Sequence, residues 1–104
     1  MLERHLQQSV LGYLRKLSRD DPSIVFRKRH GTVMGVAGDP DIYLLYKGRH
    51  AEIELKLPGN SPTTLQQVRL AEWRRAGALV GVIHSLDELR KFLAEIADEG
   101  WAAS

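Results

Sequence analysis

Two carboxylates and one ammonium group occur at positions that neighbouring strands could bring to one point. Asp41 directly follows Pro40, and Glu54 and Lys56 lie on what reads as the next strand. Two hard oxygen ligands suit a Mg²⁺ ion and leave room for water and a substrate phosphate. A lysine beside them can orient or activate the attacking water and offset charge that develops on the phosphate. This pattern indicates a metal-dependent phosphodiesterase.

The elements that must position these side chains follow from hydrophobic periodicity and from turn residues. We predict a helix over 2–18, strands over 24–30, 42–46, 49–57 and 79–84, a second helix that ends at Ala76, and a last helix behind Ser85. Ser61 or Thr63 is available as the N-cap of the second helix. The order αβββαβα predicts an α/β fold, a small mixed sheet flanked by helices, in a single domain over 1–104.

The predicted strand over 49–57 alternates apolar and charged residues, and this period of two puts Glu54 and Lys56 on one face. Glu52 shares that face and is a spare carboxylate outside the Glu-x-Lys pattern. The carbonyl of Leu55 could be a third protein ligand if the strand turns it inward. A buried or half-buried Lys56 would be costly without carboxylate partners, which argues that these charges meet. The alternative is an exposed hairpin that carries an ordinary cross-strand Glu–Lys pattern.

Composition restricts the chemistry further. The chain has 104 residues and no cysteine, which excludes disulfides, thiolate metal sites and a cysteine nucleophile and suits a cytoplasmic protein. No apolar run approaches the roughly 20 residues of a membrane span, and the first residues lack the profile of a secretory signal. None of the four histidines has a partner at zinc-ligand spacing. We therefore expect no membrane association and no histidine zinc site.

The distribution of positive charge is more informative than the net charge of +2. A basic run is formed by Arg27, Lys28, Arg29 and His30, and a second group extends from Arg69 to Arg75. Such patches suit a polyanionic partner, and a solvated charged surface is the alternative. The basic run leads into segment 31–38, which contains three glycines and is predicted to be a mobile loop.

The chain resembles the PD-(D/E)xK nuclease superfamily, whose shared core runs αβββαβ, and more narrowly the VRR-NUC (virus-type replication-repair nuclease) family. The resemblance extends from Glu3 to about Leu89. The residues that carry it are Glu3, Gly38-Asp39-Pro40-Asp41, Glu54-Leu55-Lys56, and Thr63-Thr64-Leu65-Gln66 upstream of Gly77.

The resemblance implies a role for each residue at the site. Asp41 and Glu54 would bind divalent metal, Mg²⁺ or Mn²⁺, and Lys56 would assist the nucleophile. Glu3 would be an accessory acidic residue from the first helix.

The resemblance also implies a contribution from the second helix. Gln66 would lie near the site and help to position Lys56, the water or the phosphate. Its neighbour Gln67 leaves an ambiguity, because an offset of one residue turns a side chain by about 100° around a helix. Trp73 of the same helix is expected to pack in the core, and Trp101 to be a C-terminal anchor or part of an interface.

As a function, the resemblance implies a metal-dependent endodeoxyribonuclease that hydrolyses DNA phosphodiester bonds. So small a domain has little surface for reading sequence, so selectivity for branched DNA or Holliday junctions is expected. A homodimer would present two active sites to two strands of a junction. The rival hypothesis is a non-catalytic nucleic-acid-binding subunit on a nuclease scaffold. The predicted phosphate contacts are Arg27, Lys28, Arg29, His30 and Arg69.

Overall fold

Within residues 2–31 and 35–99, which the computed structural model describes, the chain forms three helices and four strands in the predicted order αβββαβα. The elements are α1 (Glu3–Asp20), β1 (Ile24–Lys28), β2 (Ile42–Tyr46), β3 (Arg49–Leu55), α2 (Thr64–Arg75), β4 (Leu79–Ile83) and α3 (Leu86–Glu99). The predictions for Trp101 and for part of the loop over 31–38 lie outside the described residues.

The four strands form one mixed sheet in the order β1-β2-β3-β4. β1, β2 and β3 are antiparallel neighbours, and β4 lies parallel to β3. The β2–β3 connection is the tight turn expected from Lys47 and Gly48, whose φ angles are 50° and 80°. Positive φ at both central residues is the geometry that matches the twist of a two-residue hairpin. The register that follows pairs Ile42 with Ile53.

The two faces of the sheet are covered differently. Helices α1 and α3 pack on the face formed by Ala51, Ile53 and Leu55, and their apolar stripes complete a shared hydrophobic core. Helix α2 lies over the opposite face, where β3 presents Glu52 and Glu54. Every residue of β3 from Ala51 to Leu55 is therefore buried, the apolar ones in the core and the charged ones under α2.

Several predicted boundaries shift, each for a local reason. α1 runs two residues further, to Asp20, because the Asp21 N–H still donates to the Leu17 carbonyl at 2.9 Å. β3 ends at Leu55 rather than at residue 57. If the β2–β3 register continued, Leu55 would face Pro40, which has no N–H to extend the ladder.

The strand ends near the site also differ from expectation. β1 ends at Lys28 and β4 at Ile83, whereas the sequence predicts ends at residues 30 and 84. α2 ends at Arg75, and Ala76 is its C-cap. Of the two candidate N-caps of α2, Thr63 takes that role. Across residues 2–31 and 35–99, no helix is long and apolar enough to cross a membrane.

Candidate active site

Asp41 occupies the point where β2 meets the end of β3. Its Oδ2 accepts a hydrogen bond of 2.8 Å from the backbone N–H of Leu55. If the β2–β3 ladder continued, Leu55 would pair with Pro40. The Leu55 N–H instead donates to the Asp41 carboxylate. Pro40 has no N–H, so it could not donate to the Leu55 carbonyl in that pairing. The backbone of Leu55 therefore lies beside the Asp41 carboxylate, as a carbonyl ligand would require.

Glu54 is the buried carboxylate of the pair, with a relative exposure of 2%. Burial, and next the charge and hydrogen bonding of Asp41, raise its pKa to about 8, against an effect of Lys56 that lowers it. Its Oε2 is buried and has no hydrogen-bond partner among the described residues. An anionic oxygen that is buried without a partner is costly in a folded protein. Glu54 therefore lies in an environment that favours the arrival of a proton or a cation.

Lys56 follows directly after β3 and stays aligned with the sheet, because its N–H donates to the Ile83 carbonyl at 3.1 Å. Its side chain is half-buried, and its charge lowers the pKa of Glu54. The predicted meeting of Asp41, Glu54 and Lys56 is therefore present in the fold.

Gln66 reaches the site from the first turn of α2. Its Nε2 donates to Glu54 Oε1 at 3.4 Å, while its Oε1 accepts from the Thr63 N–H at 2.9 Å. The Thr63 hydroxyl in turn accepts from the Gln66 N–H, which completes a capping box. Gln67 instead donates to the Pro62 carbonyl. The choice between the two glutamines, open from sequence, is decided by this geometry in favour of Gln66.

Glu3 approaches the site from the first turn of α1. Its side chain is exposed, and its charge contributes to the raised pKa of Glu54. Glu3 therefore lies within electrostatic range of Glu54, and its accessory role stays a prediction.

The described residues also contain a buried ionic network that the sequence pattern did not assign. Glu52, fully buried, accepts from both terminal nitrogens of Arg29, at 3.1 Å for Nη2, and contacts His50. The His50 ring stacks on Trp73 at 5.4 Å, and the Arg29 guanidinium lies 5.0 Å from the centre of the Trp73 ring. The prediction that Trp73 packs in the hydrophobic core is wrong, because its ring covers this network instead.

The sequence indicates that Glu52 is buried, but it does not identify the partner of this carboxylate. Glu52 alternates with Ala51 and Ile53, so it had to be buried as soon as a helix covered that face. A buried carboxylate needs a cationic partner, but no local spacing rule identifies one 23 residues away in Arg29.

The predicted phosphate contacts are distributed over different surfaces. Strand alternation separates Lys28 from Arg27 and Arg29. The Arg27 guanidinium donates to the Phe26 carbonyl at 2.7 Å, and Lys28 Nζ donates to the Arg29 carbonyl at 3.2 Å. Arg29 has a side-chain exposure of 22% and is engaged by Glu52. Its guanidinium is therefore occupied within the protein, while Arg27 is exposed on the same face of the sheet.

His30 lines an open cleft beside the site, and Arg69 contacts one of its lining residues. The cleft has a volume of about 270 Å³ and is lined by residues 29–31 and 35–41, which include His30 and Asp41. Arg69 anchors one wall, since its Nε donates to the Ala37 carbonyl at 3.0 Å and its Nη1 contacts Glu72. Asp41 is one of the lining residues, so a ligand bound in the cleft would lie beside this residue.

The donor set accommodates a divalent cation of the magnesium type. Among residues 2–31 and 35–99, no group of three or more His, Cys, Asp or Glu side chains could hold a metal ion. Asp41 and Glu54 provide two carboxylates, and Mg²⁺ is often bound by one or two carboxylates, with water and substrate phosphate as its other ligands. Two features of Glu54 fit such an ion, namely its raised pKa and an Oε2 that has no hydrogen-bond partner among the described residues.

No protein-family model, curated protein or solved structure matches this chain. The resemblance to the VRR-NUC family therefore stays a prediction that rests on the residues that carry it.

Proposed function

We propose that this chain is a metal-dependent nuclease of the PD-(D/E)xK type, similar to the VRR-NUC family, that hydrolyses DNA phosphodiester bonds. One observation carries the proposal. Buried Glu54 lies beside Asp41 with an oxygen that has no partner among the described residues, and Lys56 and Gln66 act on the same carboxylate. A strand that buries an uncompensated carboxylate loses stability, and a catalytic metal site is a reason to retain one.

Asp41, Glu54 and the Leu55 carbonyl would hold Mg²⁺ or Mn²⁺ in this proposal. When bound, the ion supplies Lewis-acid polarisation of the phosphate and lowers the pKa of a coordinated water. Lys56, half-buried beside the carboxylates, orients the attacking water and offsets charge that develops on the phosphate. Gln66 holds the Glu54 carboxylate through its side-chain amide, so that this ligand keeps one orientation.

The substrate in this proposal is DNA that is recognised by shape. The cleft beside Asp41 and the exposed Arg27 and His30 offer a path for a phosphate backbone rather than a deep base-reading groove. We propose branched DNA of the Holliday junction kind as the preferred form, cut by a homodimer whose two sites reach two strands. The proposal places the protein in the cytoplasm, which agrees with its lack of cysteine.

The test is cleavage of labelled duplex, single-stranded, flap and four-way-junction DNA with Mg²⁺, Mn²⁺ or EDTA. The wild type is compared with Lys56→Ala and with Lys91→Ala, which removes an exposed lysine of α3. The proposal predicts metal-dependent cutting that Lys56→Ala abolishes and Lys91→Ala leaves unchanged. Equal cutting by both variants would refute the assigned role of Lys56.

The rival function is a non-catalytic nucleic-acid-binding subunit that keeps the nuclease fold as a scaffold. The observation in its favour is the lack, within 2–31 and 35–99, of a third side chain to complete a metal-ligand group. Binding of the junction without cutting under either metal, equally in wild type and Lys56→Ala, would establish this rival.

A further inference from the structure

The ion pair of fully buried Glu52 and partly buried Arg29 contacts the segment that carries Asp41. Glu52 is fully buried in β3, two residues before Glu54, and both of its oxygens contact the Arg29 guanidinium. Glu52 Oε2 also contacts His50. A carboxylate held on both oxygens fixes the position and the plane of the guanidinium.

Arg29 in turn contacts each residue of the segment 39–41. Its Nη1 donates to the Pro40 carbonyl at 2.9 Å, and its backbone N–H donates to the Asp41 carbonyl at 2.8 Å. Its Nε lies 3.9 Å from Asp39 Oδ2. The other carboxylate oxygen of Asp39 accepts from Trp73 Nε1 at 3.2 Å. One arginine therefore holds the backbone before and at the proposed metal ligand.

The sheet supports this segment from the β1 side, where the Arg29 backbone N–H donates to the Asp41 carbonyl, and further support is needed on the β3 side. β2 begins only at Ile42, and Pro40 has no N–H with which to continue the ladder towards β3. Without the Arg29 guanidinium the Pro40 carbonyl would lose a charged donor, and Asp41 would be held by the backbone N–H of residue 29 and by its own bond to the Leu55 N–H. A ligand that shifts by about 1 Å can cost a positioning-based catalyst about 100-fold in rate.

The composition of the pair also argues for a role beyond stability. Buried ion pairs contribute little stability compared with well-packed apolar residues of similar volume. Here the guanidinium lies 4.7 Å from the centre of the Tyr43 ring and 5.0 Å from that of Trp73, so an apolar side chain would also pack well. A guanidinium that also donates to the Pro40 carbonyl does what an apolar side chain could not do.

We propose that Arg29, oriented by Glu52, is a positioning residue that holds Asp41 in its metal-binding place. We call the contacts of Arg29 with Glu52 and with segment 39–41 the clamp. That the clamp serves metal binding rests on the proposed function, but the existence of the clamp can be tested without metal. It also revises the expected role of Arg29, from a contact with DNA phosphate to a support of the site.

The decisive variant replaces both charges together, Arg29→Met with Glu52→Leu, so that no buried charge is left unpaired. The matched control is Arg90→Met with Asp87→Asn, which removes an exposed ion pair of 2.9 Å on α3. Arg29→Lys is a second variant that keeps a cation for Glu52 but loses the planar fork that reaches Pro40. It serves if the double replacement does not fold.

The first readout is hydrogen exchange of the Leu55 amide in metal-free protein, because Asp41 Oδ2 is its acceptor. We expect the double replacement to increase the exchange rate of Leu55 at least tenfold relative to Ile53 in the same strand. A merely structural pair would change both amides alike. Unchanged Leu55 protection in a folded double replacement, or in Arg29→Lys where that variant is used, would overturn the clamp.

The second readout is Mn²⁺ affinity by titration calorimetry. Loss of a residue that orients a ligand typically weakens metal binding by about 10–100-fold, and we expect that loss in the double replacement but not in the α3 control. Wild-type affinity in a folded double replacement would overturn the positioning role. Absence of Mn²⁺ binding in the wild type would refute the metal site itself, whereas Leu55 exchange would still decide whether the clamp exists.

Discussion

Neutralising one buried carboxylate should stabilise the metal-free protein and flatten its response to pH. The change is Glu54→Gln, which keeps the shape of the side chain and its contact with Gln66 but removes the titrating group. Glu54 has a pKa of about 8 in the folded chain, against an ordinary value of 4.5, because it is buried beside Asp41. The unfolded chain therefore releases this proton at much lower pH than the folded chain does.

The sign and size follow from proton linkage. Between pH 4.5 and 8 the folded state binds one proton more than the unfolded state at Glu54, so stability falls as pH rises. One proton corresponds to about 1.4 kcal/mol per pH unit, or about 5 kcal/mol over the whole window as an upper limit. Below pH 4.5 both states are protonated, and above pH 8 both are ionised, so the slope from this group disappears outside the window.

Urea unfolding at a series of pH values from 4 to 9, in EDTA, measures this slope. The informative quantity is the difference in unfolding free energy between wild type and Glu54→Gln, because contributions that both proteins share cancel in it. We expect the variant to gain stability over the wild type steadily from pH 5 to pH 8. Glu95→Gln, which neutralises an exposed carboxylate on α3, is the matched control and should follow the wild type.

Two results would refute this reasoning. A constant difference between wild type and Glu54→Gln across the window would mean that Glu54 titrates normally in the folded chain. Stabilisation of Glu54→Gln by Mg²⁺ as large as that of wild type would mean that the ion binds elsewhere. Mg²⁺ at ten times its Kd should stabilise the wild type by about 1.4 kcal/mol, and most strongly at high pH, where the carboxylate is free.

Three further predictions address the loop, the cap and the metal. Gly38→Ala should cost about 1–3 kcal/mol of stability in urea unfolding, because φ is +82° and a Cβ would lie 2.7 Å from Leu65; Gly59→Ala, with φ +87° and open space, isolates the strain alone. Equal losses of stability in Gly38→Ala and Gly59→Ala would show that the contact with Leu65 contributes nothing. Thr63→Ala and Gln66→Ala should each lower stability by about 1 kcal/mol through the capping box, but only Gln66→Ala should reduce cleavage. A matching fall in cleavage rate in Thr63→Ala would assign Gln66 to capping alone. EDTA should abolish cleavage and excess Mn²⁺ should restore it, so activity that persists in EDTA would exclude the proposed metal chemistry.

Local patterns in the sequence predicted most of the fold that positions the site. The two-residue turn at Lys47 and Gly48, with positive φ at both residues, sets the register in which β2 pairs with β3. That register brings Asp41 beside the end of β3, as the expected convergence with Glu54 requires. Thr63 was recognised as a candidate cap from residue type alone.

What the sequence could not predict depends on contacts between distant residues. Arg29 reads as part of a basic run, and only the sheet order shows that its side chain reaches Glu52 across β2. Trp73 reads as a core residue because it is large and apolar. It instead covers the ionic network, since the face under α2 is charged. Hydrophobic periodicity therefore does not determine which distant residues the buried polar groups contact.

The two carboxylates of β3 that lie under α2 are treated in opposite ways, and this contrast is the strongest argument for a function at Glu54. Glu52 is matched on both oxygens by Arg29 and His50. Glu54, two residues away on the same face, keeps an oxygen with no partner among residues 2–31 and 35–99 and a raised pKa. The chain thus engages both oxygens of one buried carboxylate, whereas its neighbour beside Asp41 has Gln66 on one oxygen and no partner among the described residues on the other. A fold selected only for stability would have no reason to treat the two differently.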